Sequence, residues 1–567
     1  MKRCPQCGRE YDVTMSYCLD DGSELLYGPA GVPHDEPRTA ILHETGPPNE
    51  AATRAQIHTT EQTAVLPSDI TEVPKTRGFD KRLVLAPLAL TVVIIGGFFG
   101  YRFVTQAKQI ESIAVMPFVN DSGNPDVEYL SDGMTETLIK SLSQVPNLAV
   151  KSRSTVFYYK GKQISPEKIG QELGVQAVLL GRVAGRGDDL KLSLELVNTQ
   201  TQNVIWTEQY DRKQADLVNL QSEIAKDVSS KLTAKLSGVD EIKVTKAATN
   251  DPEAYQAYLK GRYYWNRRTP ENLKKAIEQF KIATDRDPNY ALAFVGLGDS
   301  YAVLNEYAAT PISESAPQAK TYAERALSLD PQLAEPHATL GQVYAQLWQW
   351  SDAEREYKQA IELNPNYPTA YHWYSILLRD LGRHAEALGM INRARELDPM
   401  SSVIGVNISL AYQGVGDNQA SIENSLKVIE LDPNFGFAYQ TLAQSYLKVS
   451  RTAEAVSAAE RAAELTNRAA PILGQLGYVY AVAGKRAEAL ALVKELEAAY
   501  DKKQAHGFSI AAIYGGLGDK DKAFEWLDKD FQNRDVTLAA FLWEIEYDPI
   551  RDDPRFKELK RRMNLPE

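Results

Sequence analysis

Two consecutive segments of equal length decide the fold of this chain: DPQLAEPHATLGQVYAQLWQWSDAEREYKQAIEL at 330–363 and NPNYPTAYHWYSILLRDLGRHAEALGMINRAREL at 364–397. Each opens with Asp-Pro or Asn-Pro and continues with apolar residues at helical spacing. Because proline cannot continue a helix, it separates one helical pair from the next. The prolines that recur at 34-residue intervals are Pro331, Pro365, Pro399 and Pro433.

Small and aromatic residues keep the same period. Small side chains let two antiparallel helices approach closely, and tyrosines fill the space between neighbouring pairs. The small column consists of Ala353, Ala387, Ser421, Ala455, Ala489 and Ala523. The aromatic column consists of Tyr344, Tyr412, Tyr446, Tyr480 and Tyr514, with Leu378 as its exception.

This pattern resembles that of tetratricopeptide repeats (TPRs). The resemblance implies an all-α solenoid of about eight repeats over 253–536, hence some sixteen helices, closed by a capping segment at 537–567. It also implies that other proteins or peptides bind in the groove of the array. The last helix is expected to cover the apolar flank of the eighth repeat.

The groove should be lined by the face of each first helix that points away from the small-residue column. For any single residue there, an ordinary solvated surface role is the alternative. The candidate partner-binding residues are Glu335, Gln342, His372, Ile376, Arg379, Gln440, Gln444 and Leu447.

An α/β module precedes the repeats at 111–237. A strand-like run, ESIAVMPF, is followed by an amphipathic helix that Ser131 or Asp132 is expected to cap. A second helix has Ser165 as its cap, Pro166 at its first position and Gly174 at its end. The order β-α-β-α-β-β-β-α predicts a mixed sheet with helices packed against it.

The stretches SIAVMPF, YLSDGMTETLIKSLS, IGQELGVQAVLLGRV and VIWTEQYDR carry a further resemblance. The module is similar to the N-terminal domain of TolB and to FlgO-type domains. This resemblance implies a role in envelope assembly and protein interaction.

Residues 83–101, LVLAPLALTVVIIGGFFGY, carry no charge. At 1.5 Å per residue they span roughly 28 Å, which matches the apolar thickness of a bilayer and predicts a single transmembrane helix. The residues before it (Lys75, Arg77, Lys81, Arg82) are more basic than those after it (Arg102, Lys108). The asymmetry predicts a cytoplasmic N-terminus and a periplasmic bulk at the inner membrane. The polar, proline-rich stretch at 27–82 is expected to be a disordered linker.

The cysteines at positions 4, 7 and 18 predict a metal site in a module at 1–26. Cys4 and Cys7 on one turn could share a structural Zn²⁺ with Cys18, and Asp21 stands where a full zinc ribbon would have a fourth cysteine. Asp20 or a water are alternative fourth ligands. The other possibility is three free thiols without metal.

The overall composition restricts the function. A formal net charge of −12, from 63 basic and 75 acidic residues, makes nucleic acid an unexpected partner, and three cysteines exclude a disulfide scaffold. With seven histidines and no recognisable catalytic motif, the chain is not expected to be an enzyme. The favoured function is a membrane-anchored protein-binding scaffold. The alternative is a transmembrane signalling or transcription regulator that couples outer sensing to the zinc module.

Overall fold

The computed structural model comprises two compact units, residues 1–97 and 98–567, and each is described by itself. The residues that the structure describes are 2–3, 10–11, 26–27, 110–124, 127–232, 238, 242, 245–267, 269–308, 310–502, 504–533 and 538–566.

The first unit contains three short strands in its described residues. Strands β1 (Lys2–Arg3), β2 (Glu10–Tyr11) and β3 (Leu26–Tyr27) form an antiparallel sheet in the order β2-β1-β3. The predicted zinc ligands Cys4, Cys7, Cys18 and Asp21, the linker beyond Tyr27 and the predicted transmembrane segment 83–101 lie outside the described residues. Within the described ranges, no helix has both the length and the apolar character needed to cross a membrane.

The second unit begins with a mixed sheet, as predicted. The strands are β4 (Ser112–Val115), β5 (Val119–Asn120), β6 (Ala149–Val150), β7 (Ala177–Arg186), β8 (Asp189–Asn198) and β9 (Val204–Lys213). Their order in the sheet is β6-β4-β7-β8-β9, and β5 pairs with β7. Strand β7 pairs in parallel with β4 and β5, and β4 pairs in parallel with β6, whereas β8 pairs antiparallel with β7 and β9.

In the part of this domain that the structure describes, four helices accompany the sheet. They are α1 (Glu128–Leu142), α2 (Arg153–Phe157), α3 (Pro166–Leu173) and α4 (Leu217–Leu232). The predicted ends of α3 are confirmed: the Ser165 side chain accepts from the Lys168 N–H, and Gly174 ends the helix at φ 63°. The predicted cap of α1 is wrong, because that helix begins one turn earlier, at Glu128, and buries both Ser131 and Asp132 inside it.

A helical array follows, with sixteen helices in the described residues between 252 and 532. Successive helices pack as antiparallel pairs. The pairs are α5 (Pro252–Trp265) with α6 (Pro270–Arg286), α7 (Ala291–Ala308) with α8 (Ile312–Leu329), α9 (Glu335–Gln346) with α10 (Trp350–Leu363), α11 (Pro368–Asp380) with α12 (His384–Leu397), α13 (Ser402–Gly414) with α14 (Asn418–Leu431), α15 (Gly436–Lys448) with α16 (Thr452–Leu465), α17 (Ala470–Val482) with α18 (Arg486–Tyr500), and α19 (Gly507–Gly516) with α20 (Lys520–Gln532).

The small-residue column lies in the interior of these pairs. Ala353 and Ala455 have no exposed surface, and Ser421 donates its hydroxyl to the carbonyl of Ser409 at 2.9 Å. Close approach is required elsewhere too: a Cβ on Gly341 of α9 would lie 2.7 Å from the ring of Tyr357 on α10. Small residues therefore set the spacing within each pair.

Short elements follow the array: α21 (Leu538–Phe541), a 3₁₀ turn at Ile545–Tyr547, α22 (Asp548–Arg551) and α23 (Pro554–Arg562). Helix α23 lies against α20, where Arg562 pairs with Asp528 at 2.7 Å. Residues 542–547, between α21 and α22, do not continue along α20 but pack against helices of the array.

Candidate functional site: the concave face of the helical array

The first helices of the pairs form the inner face of the array. Neighbouring first helices, such as α9 with α11 and α11 with α13, pack against one another, whereas neighbouring second helices are further apart. This difference places the first helices on the tighter radius, which is the concave side. All eight predicted groove residues lie on three of these helices, α9, α11 and α15.

On α11, two of the predicted residues meet a common partner on the next first helix. The Asn407 amide lies 3.1 Å from His372 Nε2, and its oxygen accepts from Arg379 Nη1 at 3.4 Å. Ile376 is half-buried one turn from each of them. The structure therefore brings His372 and Arg379 together. That His372, Ile376 and Arg379 bind a partner remains a prediction.

On α9, one predicted residue contacts the α/β domain and the other contacts its own helix pair. Glu335 forms an ion pair of 2.6 Å with Lys140 of α1. Burial would raise the pKa of this carboxyl, but Lys140 holds it below its usual value. Gln342 accepts from the Tyr357 hydroxyl at 3.0 Å, within its own helix pair.

On α15, Gln444 contacts a distant part of the chain. Its amide nitrogen donates to Glu544 at 2.9 Å and to Glu546 at 3.1 Å, and its side chain is 1% exposed. The backbone carbonyl of Gln440 accepts from Gln475 at 2.9 Å, while Leu447 packs at the edge of the core. Gln444 thus shows that residues after the array enter the groove.

The segment that enters is residues 542–547, LWEIEY, called the strap. The indole N–H of Trp543 donates to the backbone carbonyl of Asp380 at the end of α11, and its ring meets the His384 ring edge-on at 5.5 Å. Gly382 has φ 74°, and a Cβ there would lie 3.0 Å from the Trp543 ring. A residue with a side chain would be strained at that position and would crowd the tryptophan.

Three carboxyl groups meet where the strap lies on α11 and α15. Burial raises the pKa of Asp380 to about 6, although Arg379 opposes this shift. Burial and the neighbouring Glu546 raise the pKa of Glu544 well above its usual value, and burial likewise raises that of Glu546. The charged forms of these acids are therefore destabilised in the groove.

The third helix pair also contacts the C-terminal end of the chain. The indole N–H of Trp350 donates to the carbonyl of Met563 at 3.1 Å, and Trp348 stacks on Phe531 of α20 at 5.7 Å. The loop between α9 and α10 therefore contacts the last pair and the C-terminal residues.

The α/β domain contacts the array beyond the end of a second helix. Thr155 of α2 donates to Asp398 at 2.8 Å, and Ser154 hydrogen-bonds to the same carboxylate. Asp398 follows α12 and is 5% exposed.

An ionic cluster fixes α1 to the first pairs. Glu136 pairs with Arg153 at 2.9 Å and with Arg262 at 2.5 Å, and it accepts from Asn266 at 2.7 Å. Arg262 also lies 3.6 Å from Asp299. Burial would raise the pKa of Glu136, but Arg262 and Arg153 hold it below its usual value.

Sequence reasoning missed both the strap and the docking of α2. The alternation of Trp543, Ile545 and Tyr547 with Glu544 and Glu546 is a pattern that could have suggested a segment packed on one side. The described residues contain no group of three or more side chains suited to hold a metal ion.

The comparisons with known proteins divide the chain into the same parts. The family model for tetratricopeptide repeats matches residues 334–367, 356–389 and 406–435. The helical array is a TPR array. The family model of the second domain of HilA/YgeH-like transcriptional regulators matches residues 108–227. The predicted similarity to TolB and FlgO domains is not confirmed.

Curated relatives match parts of the chain. A Rhizobium meliloti (strain 1021) protein named "Putative adenylate cyclase 3" is 32% identical over 248 residues, which is 43% of this chain and 42% of the relative. "Superkiller protein 3" of Schizosaccharomyces pombe is 22% identical over 244 residues, 37% of this chain and 17% of the relative. The chain thus spans less than half the length of each.

The first of these relatives corrects one prediction. The chain was not expected to be an enzyme, and similarity to a protein whose name denotes a cyclase contradicts that expectation.

Among solved structures, the array is similar to Pseudomonas aeruginosa PilF, with 22% identity and a TM-score of 0.31 over 38% of this chain and 94% of that one. PilW, a type IV pilus biogenesis factor, has 17% identity and a TM-score of 0.32 over 36% and 94%.

Proposed function

We propose that this protein is a protein-binding scaffold whose TPR array holds segments of partner proteins on its concave face. The observation that supports this most directly is the strap, since α11 and α15 already hold an irregular peptide segment through Asp380 and Gln444. A curved helical array derives affinity from a large inner surface.

Site-specific photocrosslinking in cells tests this function. A photoreactive amino acid replaces Ile376 on the concave face, and a matched variant carries it at Lys427 on the exposed side of α14. We expect a protein partner to be captured from position 376 and not from 427. Equal capture at both positions, or no protein captured from 376, contradicts the proposal.

The scaffold is further proposed to be anchored in the inner membrane by residues 83–101, with the α/β domain and the array in the periplasm. The support is the uncharged apolar run and the more basic flank before it. Protease added to spheroplasts should degrade the array and spare an epitope tag at the N-terminus. Release of the chain by alkaline extraction contradicts the anchor.

Residues 1–26 are proposed to hold one structural Zn²⁺ through Cys4, Cys7, Cys18 and Asp21. The support is the cysteine spacing, and in chain order the first two cysteines fall between β1 and β2. We expect one equivalent of zinc per chain by elemental analysis and its loss in Cys7→Ser, with Asp35→Asn in the linker as the control. Equal zinc in both variants rules out this ligand set.

A second candidate function is a regulator that couples outer binding to a cytoplasmic response. The match of residues 108–227 to a domain of HilA/YgeH-like transcriptional regulators favours it. A transcriptome of a deletion strain, complemented with the wild-type chain or with a chain lacking residues 1–26, tests this function. A regulator should restore expression only with the N-terminal module, and equal restoration contradicts it.

A further inference from the structure

We propose that the concave face at α11 and α15 is a docking site for acidic, tryptophan-containing peptides of a partner protein, and that the strap is a built-in competitor which such a peptide displaces. The proposal rests on the proposed scaffold function, for which it names the class of ligand.

The tryptophan site is built by the array itself. It consists of the Asp380 carbonyl, which accepts the indole N–H, the bare backbone of Gly382, and the His384 ring at 5.5 Å. The buried end of α11 offers a free carbonyl because a helix leaves its last carbonyls without intrahelical partners. An indole N–H is the matching donor on a large flat side chain.

The acid preference comes from Gln444 and its neighbours. The Gln444 amide donates to two carboxylates, and the positive charges of Arg379 and Lys448 offset part of the rise in pKa that burial causes at Glu544 and Glu546 respectively. A peptide with basic residues at these two positions would meet both cations and the amide N–H. The face therefore selects acidic over basic sequences.

The strap satisfies this face incompletely, which makes it displaceable. The Gln444 amide has two N–H donors, one for each carboxylate, but in the described residues its buried Oε1 has no hydrogen-bond partner. Burial also raises the pKa values of Glu544 and Glu546, and the charge of Glu546 adds to the rise at Glu544. A partner peptide that offers one donor to Gln444 Oε1 would gain a bond that the strap lacks.

The occupant is a different protein and not a second copy of this chain. The strap is tethered to its own groove, so its effective concentration there is high. The strap of a second copy has the same sequence and gains no contact, whereas a partner with a better-matched peptide can win the competition.

Fluorescence anisotropy with the labelled peptide LWEIEY and the full chain tests the proposal. Trp543→Ala should detach the strap and tighten peptide binding by about tenfold or more, because the apparent Kd is the intrinsic Kd divided by the fraction of open grooves. Adding Gln444→Ala to that variant should remove the gain. Gln419→Ala, on the exposed face of α14, is the matched control. Added to Trp543→Ala, it should leave the gain in peptide affinity intact. The peptide LWKIKY should not bind.

A second variant keeps the test valid if Trp543→Ala fails to fold. Arg551 donates to the carbonyls of Leu542 and Glu544, both at 3.0 Å, and so fixes the strap without belonging to the groove. Arg551→Ala should therefore also tighten peptide binding.

Three outcomes overturn the proposal: unchanged peptide affinity in both opened variants, equal binding of LWKIKY, or dimers formed by exchange of straps in place of peptide binding. Failure here leaves the scaffold function intact, provided that photocrosslinks from position 376 still capture a partner. Absence of those crosslinks in the opened variants as well contradicts the scaffold function itself.

Discussion

At the residue scale, the most unusual feature of the groove is a set of buried acids with few compensating charges. Asp380 is 8% exposed, and the groups that act on it and on the nearby strap include Arg379, Glu544 and His384. Burial, together with the positive charge of Arg379, lowers the pKa of His384, which favours a neutral imidazole beside Trp543. At high pH the carboxyl groups of the strap are ionised and the His384 imidazole is neutral. The groove is therefore least favourable to the strap at high pH.

Asp380→Asn should flatten the pH dependence of stability. The carboxyl has a pKa of about 6 in the fold against 3.8 ordinarily, so the folded state binds more protons between these values. Its stabilising effect is fully present below pH 3.8 and is lost as the pH rises through 6, by about 3 kcal/mol. The variant should match the wild type at pH 3.5 and exceed it above pH 7 in urea unfolding. Asp188→Asn, at an exposed turn, should leave the profile unchanged, and identical profiles for all three chains contradict the assignment.

Sequence could place Gln444 on the groove side but could not identify its partners. Its position follows from helical spacing on α15, which is local information. Glu544 and Glu546 lie 100 and 102 residues further along the chain, and their approach depends on the curvature summed over several repeats. That curvature is the sum of a small rotation between each repeat and the next, and no short sequence pattern predicts this sum.

At the element scale, the residues that recur every 34 positions produce close packing within each helix pair. The period predicted the helix pairs because proline, small residues and tyrosine each have a local physical role. It could not predict β5 or α2, which have two and five residues. Such short elements form through tertiary contacts, here the pairing of Val119 with Arg182 and the packing of α2 on the array.

Gly341→Ala should destabilise the third pair. The new Cβ would lie 2.7 Å from the ring of Tyr357, which is fully buried. Overpacking of this kind costs about 1–3 kcal/mol, measured as the change in the free energy of unfolding.

Gly389→Ala is the matched control. It makes the same change in the neighbouring pair, but nothing lies within 4 Å of the new Cβ. It should stabilise the chain by up to about 1 kcal/mol, because alanine loses less backbone entropy in a helix. A similar effect of both substitutions would show that the contact between Gly341 and Tyr357 does not limit the pair.

At the scale of the whole molecule, two parts of the same chain contact the array. The α/β domain reaches it through α2 at Asp398 and through Lys140 at Glu335, and the strap reaches it at Gln444. A partner that binds at the strap's site therefore binds an array that already holds the α/β domain. The α/β domain and the first helix pairs should stay joined as one unit as long as the cluster around Glu136 is intact.

Glu136→Ala should separate the α/β domain from the array. The substitution leaves Arg153 and Arg262 buried without their shared carboxylate, and removing one partner of a buried pair costs about 3–5 kcal/mol. Hydrogen exchange should accelerate in α1 and α5 together, while α17 to α20 stay protected. Glu278→Ala, on the exposed face of α6, is the control and should change neither. If α1 and α5 exchange no faster in Glu136→Ala than in this control, contacts outside the cluster hold the domain in place.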